Sequence, residues 1–158
     1  MIEITECPLS PERVIAKVRS RDSGCVVTYI GLIRDYSEGK PVLSVEYRDP
    51  NEEAKAQLQK IANETKQRWQ INNMAISHRI GKLSVGEINL VIAVASAHRN
   101  EGFNACQYAV DQFKQRLPTK KKETYQDGSA DKRVRISLIS LPDRKKWTHF
   151  IPIFFGRK

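Results

Sequence analysis

Residues 87–97, EINLVIAVASA, constrain the fold of this chain more than any other stretch. Read as a strand, the run puts Ile88, Leu90, Ile92 and Val94 on one side and Val91, Ala93, Ala95 and Ala97 on the other. A strand apolar on both sides belongs inside a sheet covered on both faces, and small residues on the second side let a helix lie close. Further β-branched and apolar runs, GCVVTYIGLIR at 24–34, 42–47 and 74–79, read as strands, the first of them buried. They exclude a pure helical bundle.

Between these runs the apolar spacing turns helical. Pro11 after Ser10 opens PERVIAKVRS, whose Val14, Ile15 and Val18 form a stripe. Ala54, Leu58, Ile61, Ala62 and Trp69 mark one face of a helix over about 52–69. A third helix follows the long strand, with Asn100 as its cap and Phe103, Cys106, Val110, Phe113 and Leu117 inward, until Pro118 ends it. A basic turn leads to Asp127-Gly128-Ser129, and VRISLISLP and WTHFIPIFF read as two more strands. Interleaved elements on short connections, in 158 residues without repeat or linker, predict one α+β domain over 1–158, with helices covering a mixed sheet.

Composition narrows the function classes. The net charge of +9, from 27 Lys and Arg against 18 Asp and Glu, points to an anionic partner. Part of it sits in the basic segment 129–158. No apolar run reaches the length of a membrane span, and MIEITECPLS lacks the features of a signal peptide, so a soluble, cytoplasmic protein is expected. Cys7, Cys25 and Cys106 have neither disulfide nor zinc spacing, and read as buried or idle thiols. The three histidines are scattered, so no metal site is expected, and neither a G-x-S-x-G elbow nor a Gly-rich phosphate loop is present. Nucleic-acid binding fits the charge but not the aromatics, which are few and not interleaved with the cations.

The chemistry concentrates in residues 96–123. His98 and Arg99 stand where the apolar strand stops and a helix starts, so cationic side chains and open helix N–H groups can converge on one anion. The far end carries Lys114, then Lys120, Lys121 and Lys122 beyond the Pro118 turn. Lys114 follows Phe113 at the edge of the buried stripe; partial cover and clustered like charges would favour a neutral amine, the form a nucleophile or base needs. The plainer reading is that these lysines complement the helix dipole. A second pair, His78-Arg79, at a neighbouring strand end suggests a cationic rim, to which Arg34 adds a guanidinium suited to phosphate.

GLIRDYSEG at 31–39, HRIGKLSVGE at 78–87, SAHRNEGFNAC at 96–106 and FKQRLPTKKKETYQDG at 113–128 together resemble the catalytic (large) subunit of molybdopterin synthase. The likeness spans about residues 10–128; the segment after Gly128 matches poorly. The resemblance implies an α/β hammerhead fold, a homodimer, and a heterotetramer completed by a small ubiquitin-like sulfur carrier ending in Gly-Gly. That tail, as a thiocarboxylate, would give sulfur to cyclic pyranopterin monophosphate, with no cofactor in the large subunit. Carried over by position, substrate contacts fall on Leu32, Ile33, Arg34, His98, Arg99, Lys122 and Glu123, and catalytic as well as binding roles on Lys114 and Lys121. Departures from the family's usual pattern are Thr119 and Lys120 where an apolar residue and Trp stand, Pro50 and Glu53 for Tyr and Met, and Gly102 for Ala. The other reading is a diverged relative that binds an anion or a partner without catalysis.

Overall fold

The computed structural model describes residues 1–134. In chain order they form β1 (Ile2–Thr5), α1 (Pro11–Ala16), β2 (Cys25–Leu32), β3 (Tyr36–Ser37), β4 (Lys40–Arg48), α2 (Ala54–Arg68), β5 (Asn73–Arg79), β6 (Gly81–Ser84), β7 (Ile88–Ser96), α3 (Arg99–Arg116), β8 (Lys120–Tyr125) and β9 (Ala130–Val134). The class is α+β as expected, but the strands make two sheets rather than one. The first is mixed, in the order β1-β5-β7-β2, with β1 parallel to β5 and the rest antiparallel. The second is antiparallel, β3-β4-β8-β9, with β6 also on β4.

The two-sided strand takes its predicted place inside the first sheet. Leu90, Ile92 and Val94 face α2 and α3, in one core with Leu58, Ile61, Ala109 and Phe113. Val91, Ala93 and Ala95 face Val14 and Val18 in a second core, so the small side chains do admit a helix, α1. Burying each large aliphatic side chain contributes about 1.5–3 kcal/mol, which accounts for α1 holding as a helix of only 6 residues. Its Ser10 cap accepts a hydrogen bond from the Arg13 amide at 3.2 Å.

Four expectations change. Residues 25–32 form an edge strand rather than a buried one: among the described residues β2 pairs only with β7, leaving Ile30 and Leu32 exposed. The basic turn is a strand, because β8 finds partners on both sides in β4 and β9. Helix α3 is capped by His98 in extended conformation, without a side-chain cap bond, and not by Asn100. Its stripe loses one member: Cys106, Val110, Phe113 and Leu117 are buried as expected, but Phe103 is 60% exposed and Gly102 turns inward in its stead, where a Cβ would come within 2.7 Å of Ser96 Oγ and 3.0 Å of Val27 Cγ2. The strands read at VRISLISLP, beyond its Val134, and at WTHFIPIFF lie outside the described residues.

Candidate functional site

The two sheets meet at a cleft of about 400 Å³. One wall is the exit of β2, Gly31 to Arg34, where the ladder with β7 shifts register after Gly31. The last turn of α3 supplies Phe113 and Lys114. Tyr47 of β4 and Lys121 and Glu123 of β8 close the other side. Arg34, Lys114 and Lys121 thus surround the cavity with one carboxylate, Glu123, among them, and the balance favours an anion.

Strand alternation separates the lysines. Lys121, Glu123 and Tyr125 share the inward side of β8, while Lys120 and Lys122 point the other way, Lys122 standing opposite Glu46 in the ladder. The expected cluster of like charges therefore does not form, and Lys122, expected to contact substrate, does not line the cleft. Lys120 does not line it either, so in this chain the position where the family has Trp is no wall of this cavity. Lys114, expected half covered, is exposed at the mouth, its Nζ 5.8 Å from the Tyr29 ring centroid, within cation–π range. Leu32 is 59% exposed at the rim, whereas the Ile33 side chain is buried in the core of the second sheet.

Glu123 is 3% exposed and well partnered. One oxygen pairs with Lys121 Nζ; the other accepts from Ser37 Oγ and from the Tyr125 hydroxyl, each at 3.0 Å. Burial alone would push its carboxyl up, but the Lys121 bond and charge and the two hydroxyls outweigh it and hold it below the usual range.

His98 and Arg99 are elsewhere. They line a shallow depression with Gly24 and Cys25 at the opposite end of β2 and α3. At 1.5 Å rise per residue, the helix from His98 to Lys114 runs about 24 Å, too far for one small anion to touch both ends. The sequence places the two groups on one helix; the helix itself holds them apart.

The rim around His78 is also overturned. β5 and β7 are antiparallel, so their C-terminal ends point in opposite directions. His78 is fully buried with its ring edge-on to Tyr47 and Phe113, centroids at 5.3 and 5.0 Å, and Nδ1 2.8 Å from the Asn89 carbonyl oxygen. It braces two walls of the cleft from behind. Arg79 pairs with Glu87 at 2.6 Å. Of the thiols, Cys106 is buried, which pushes its pKa up to about 11, while Cys7 is exposed. Among the described residues no group of His, Cys, Asp and Glu could hold a metal, and no helix is long and apolar enough to cross a membrane.

Tyr47, Asn89, Ser37 and Tyr125 escaped sequence reasoning. For Tyr125 alone there was a hint, the period of two it shares with Lys121 and Glu123, which shows once that segment is known to be a strand.

A family model described as MoaE protein matches residues 4–116, from β1 through α3, including Arg34, His98, Arg99 and Lys114. This chain belongs to the MoaE family. MoaE family relatives named molybdopterin synthase catalytic subunit include one from Bacillus subtilis (strain 168), 40% identical over 80% of this chain and 80% of its own length. Another, from Nostoc sp., is 41% identical over 80% of this chain and 78% of its own. The crystal structure of molybdopterin synthase from Staphylococcus aureus matches with a TM-score of 0.78 at 30% identity, over 83% of this chain and 95% of that one. A Helicobacter pylori complex of subunits 1 and 2 of molybdopterin-converting factor, at 12% identity and a TM-score of 0.67, shares the fold.

Proposed function

We propose that this MoaE family member is the catalytic subunit of a molybdopterin synthase. It transfers sulfur from the thiocarboxylated Gly-Gly tail of a small ubiquitin-like subunit to cyclic pyranopterin monophosphate. The observation that carries the reading is the cleft between the sheets, where Arg34, Lys114 and Lys121 converge around a space of small-molecule size. Arg34 has the planar fork that suits a cyclic phosphate. Lys114 at the open mouth and Lys121, held by Glu123, are placed to stabilise charge as sulfur is transferred.

The family match, the named relatives and the crystal structure support the activity. The position of His98 and Arg99 supports a specific assembly. One chain cannot bring them to Lys114, but a second copy can, because among the described residues β2 is an open edge running from the His98 depression to the Lys114 cleft. The edge is 8 residues long with no Lys, Arg or Pro to keep it from pairing, and its register shift comes only at its end, after Gly31. Antiparallel pairing of β2 with its own copy about a two-fold axis sets Cys25 of one protomer near Leu32 of the other. His98 and Arg99 of the mate then complete the cleft of each protomer, giving a homodimer with two composite sites. A small subunit at each site makes the heterotetramer.

The test is product formation from purified protein, thiocarboxylated partner and cyclic pyranopterin monophosphate. Unaltered protein yields the dithiolene product, and Lys114→Ala lowers the rate by at least about a hundredfold without loss of fold or partner binding. No product from unaltered protein would support the non-catalytic binding module instead; normal yield from Lys114→Ala would remove that residue from the chemistry.

A further inference from the structure

Lysine is a poor instrument for positioning charge unless something holds it. Its ammonium sits on a four-carbon stem with about 2 kcal/mol of rotamer entropy and donors that rotate freely. Lys121 is held by Glu123, two residues on along the same side of β8, and Glu123 is itself held by two hydroxyls on its other oxygen. Ser37 and Tyr125 are both buried, 4% exposed each, so these bonds are made away from competing water.

The hydroxyls come from different places. Tyr125 is on β8 itself. Ser37 is on β3, three residues after Arg34, in the hairpin that continues from the wall carrying that arginine. One carboxylate therefore ties the Arg34 segment to the strand that bears Lys121, across the cleft from each other.

On the reading of the cleft as the reaction site, we infer that Tyr125 and Ser37 are positioning residues: they fix the rotation of the Glu123 carboxylate and thereby the place of the Lys121 ammonium. Neither touches substrate. Without the Tyr125 hydroxyl the carboxylate turns and Lys121 loses its fixed partner, which lowers turnover and leaves substrate binding almost intact. Without the Ser37 hydroxyl the Arg34 wall is also released, so turnover falls and KM for the anionic pterin rises. The two losses differ in kind because the two hydroxyls hold different walls.

The experiment measures kcat and KM for the full chain with its thiocarboxylated partner, in Tyr125→Phe, Ser37→Ala and Ser37→Thr. A hydrogen bond to a charged group corresponds to roughly a tenfold effect or more. Tyr125→Phe is expected to lower kcat about tenfold with KM within about twofold; Ser37→Ala lowers kcat and raises KM severalfold, and Ser37→Thr, which keeps the hydroxyl, returns close to the unaltered protein. Amine labelling of the protein alone, followed by mass spectrometry, gives a second reading. Lys121 should label faster relative to Lys114 in Tyr125→Phe and Ser37→Ala than in the unaltered chain. If kcat stays within about twofold in both variants, or Ser37→Thr is as impaired as Ser37→Ala, or the Lys121 to Lys114 labelling ratio does not move, the inference is wrong. Should the unaltered protein make no product, the functional reading fails and the labelling ratio still decides this one.

Discussion

Mixed dimers provide the sharpest test of how the site is built. Lys114 and Arg99 belong to the two ends of α3, about 22 Å apart along the helix. Co-expressing two differently tagged copies and purifying the doubly tagged form yields dimers with one chain of each kind. When one chain carries Lys114→Ala and the other Arg99→Ala, a composite arrangement leaves one site with both defects and the other with none. Such dimers should show about half the activity of the unaltered dimer, although each variant alone is nearly inactive. Placing both substitutions on one chain and pairing it with an unaltered chain inverts the result: each site then lacks one group, and activity falls to the level of the single variants. A site complete within one chain predicts the opposite pattern, no recovery in the first case and about half activity in the second. That outcome, or a chain that remains monomeric at assay concentration, would refute the reasoning from helix length and open edge.

Acid stability should report the clamp that joins α2 to α3. Arg116 binds Glu64 through both oxygens, at 2.6 and 2.9 Å, and holds its carboxyl down to about 2 from an ordinary 4.5, aided by Tyr108 and opposed by burial. A depressed carboxyl contributes stability above its unfolded value and loses it as the pH falls through the folded one, so the contribution fades between about 4.5 and about 2. With solvent screening of this part-exposed pair it is worth about 1 kcal/mol; Glu64→Gln should show that loss in urea titrations at pH 7 and almost none near pH 2. Gly24→Ala should destabilise by about 1–3 kcal/mol in thermal unfolding, because its Cβ would stand 2.3 Å from the Ala97 carbonyl oxygen, a backbone atom that no rotamer change moves. An unchanged melting temperature would mean that β2 and the end of β7 are not joined as described.

Much of the fold could be read directly from residue pattern, for a physical reason. Val14 and Val18, Leu58 and Ile61, Leu90 and Ile92 reach the core because period and polarity are local properties of the chain, and burial follows from them. The second sheet was less visible. β8 carries Lys at three successive positions, a composition that reads as a solvated turn, and it becomes a strand only because β4 and β9 supply hydrogen-bond partners from elsewhere in the chain. Phe103 misled for a related reason: apolar spacing places Cys106, Val110, Phe113 and Leu117 inward correctly, while at the first turn the close approach of Ser96 and Val27 to Gly102 decides which residue faces in.

For the site, sequence alone determined which residue types are present and their order: a guanidinium at a strand exit, a His-Arg pair before a helix, and lysines after it. Their motifs also sufficed to point to the family. Tertiary structure decided which of them meet. Antiparallel pairing of β5 and β7 sent His78 into the core, alternation along β8 turned Lys121 inward and Lys122 outward, and the length of α3 put His98 and Arg99 at the far end from Lys114. Distances between side chains far apart in sequence depend on strand register and helix roll, which are set by contacts from the whole chain and written in no single segment of it.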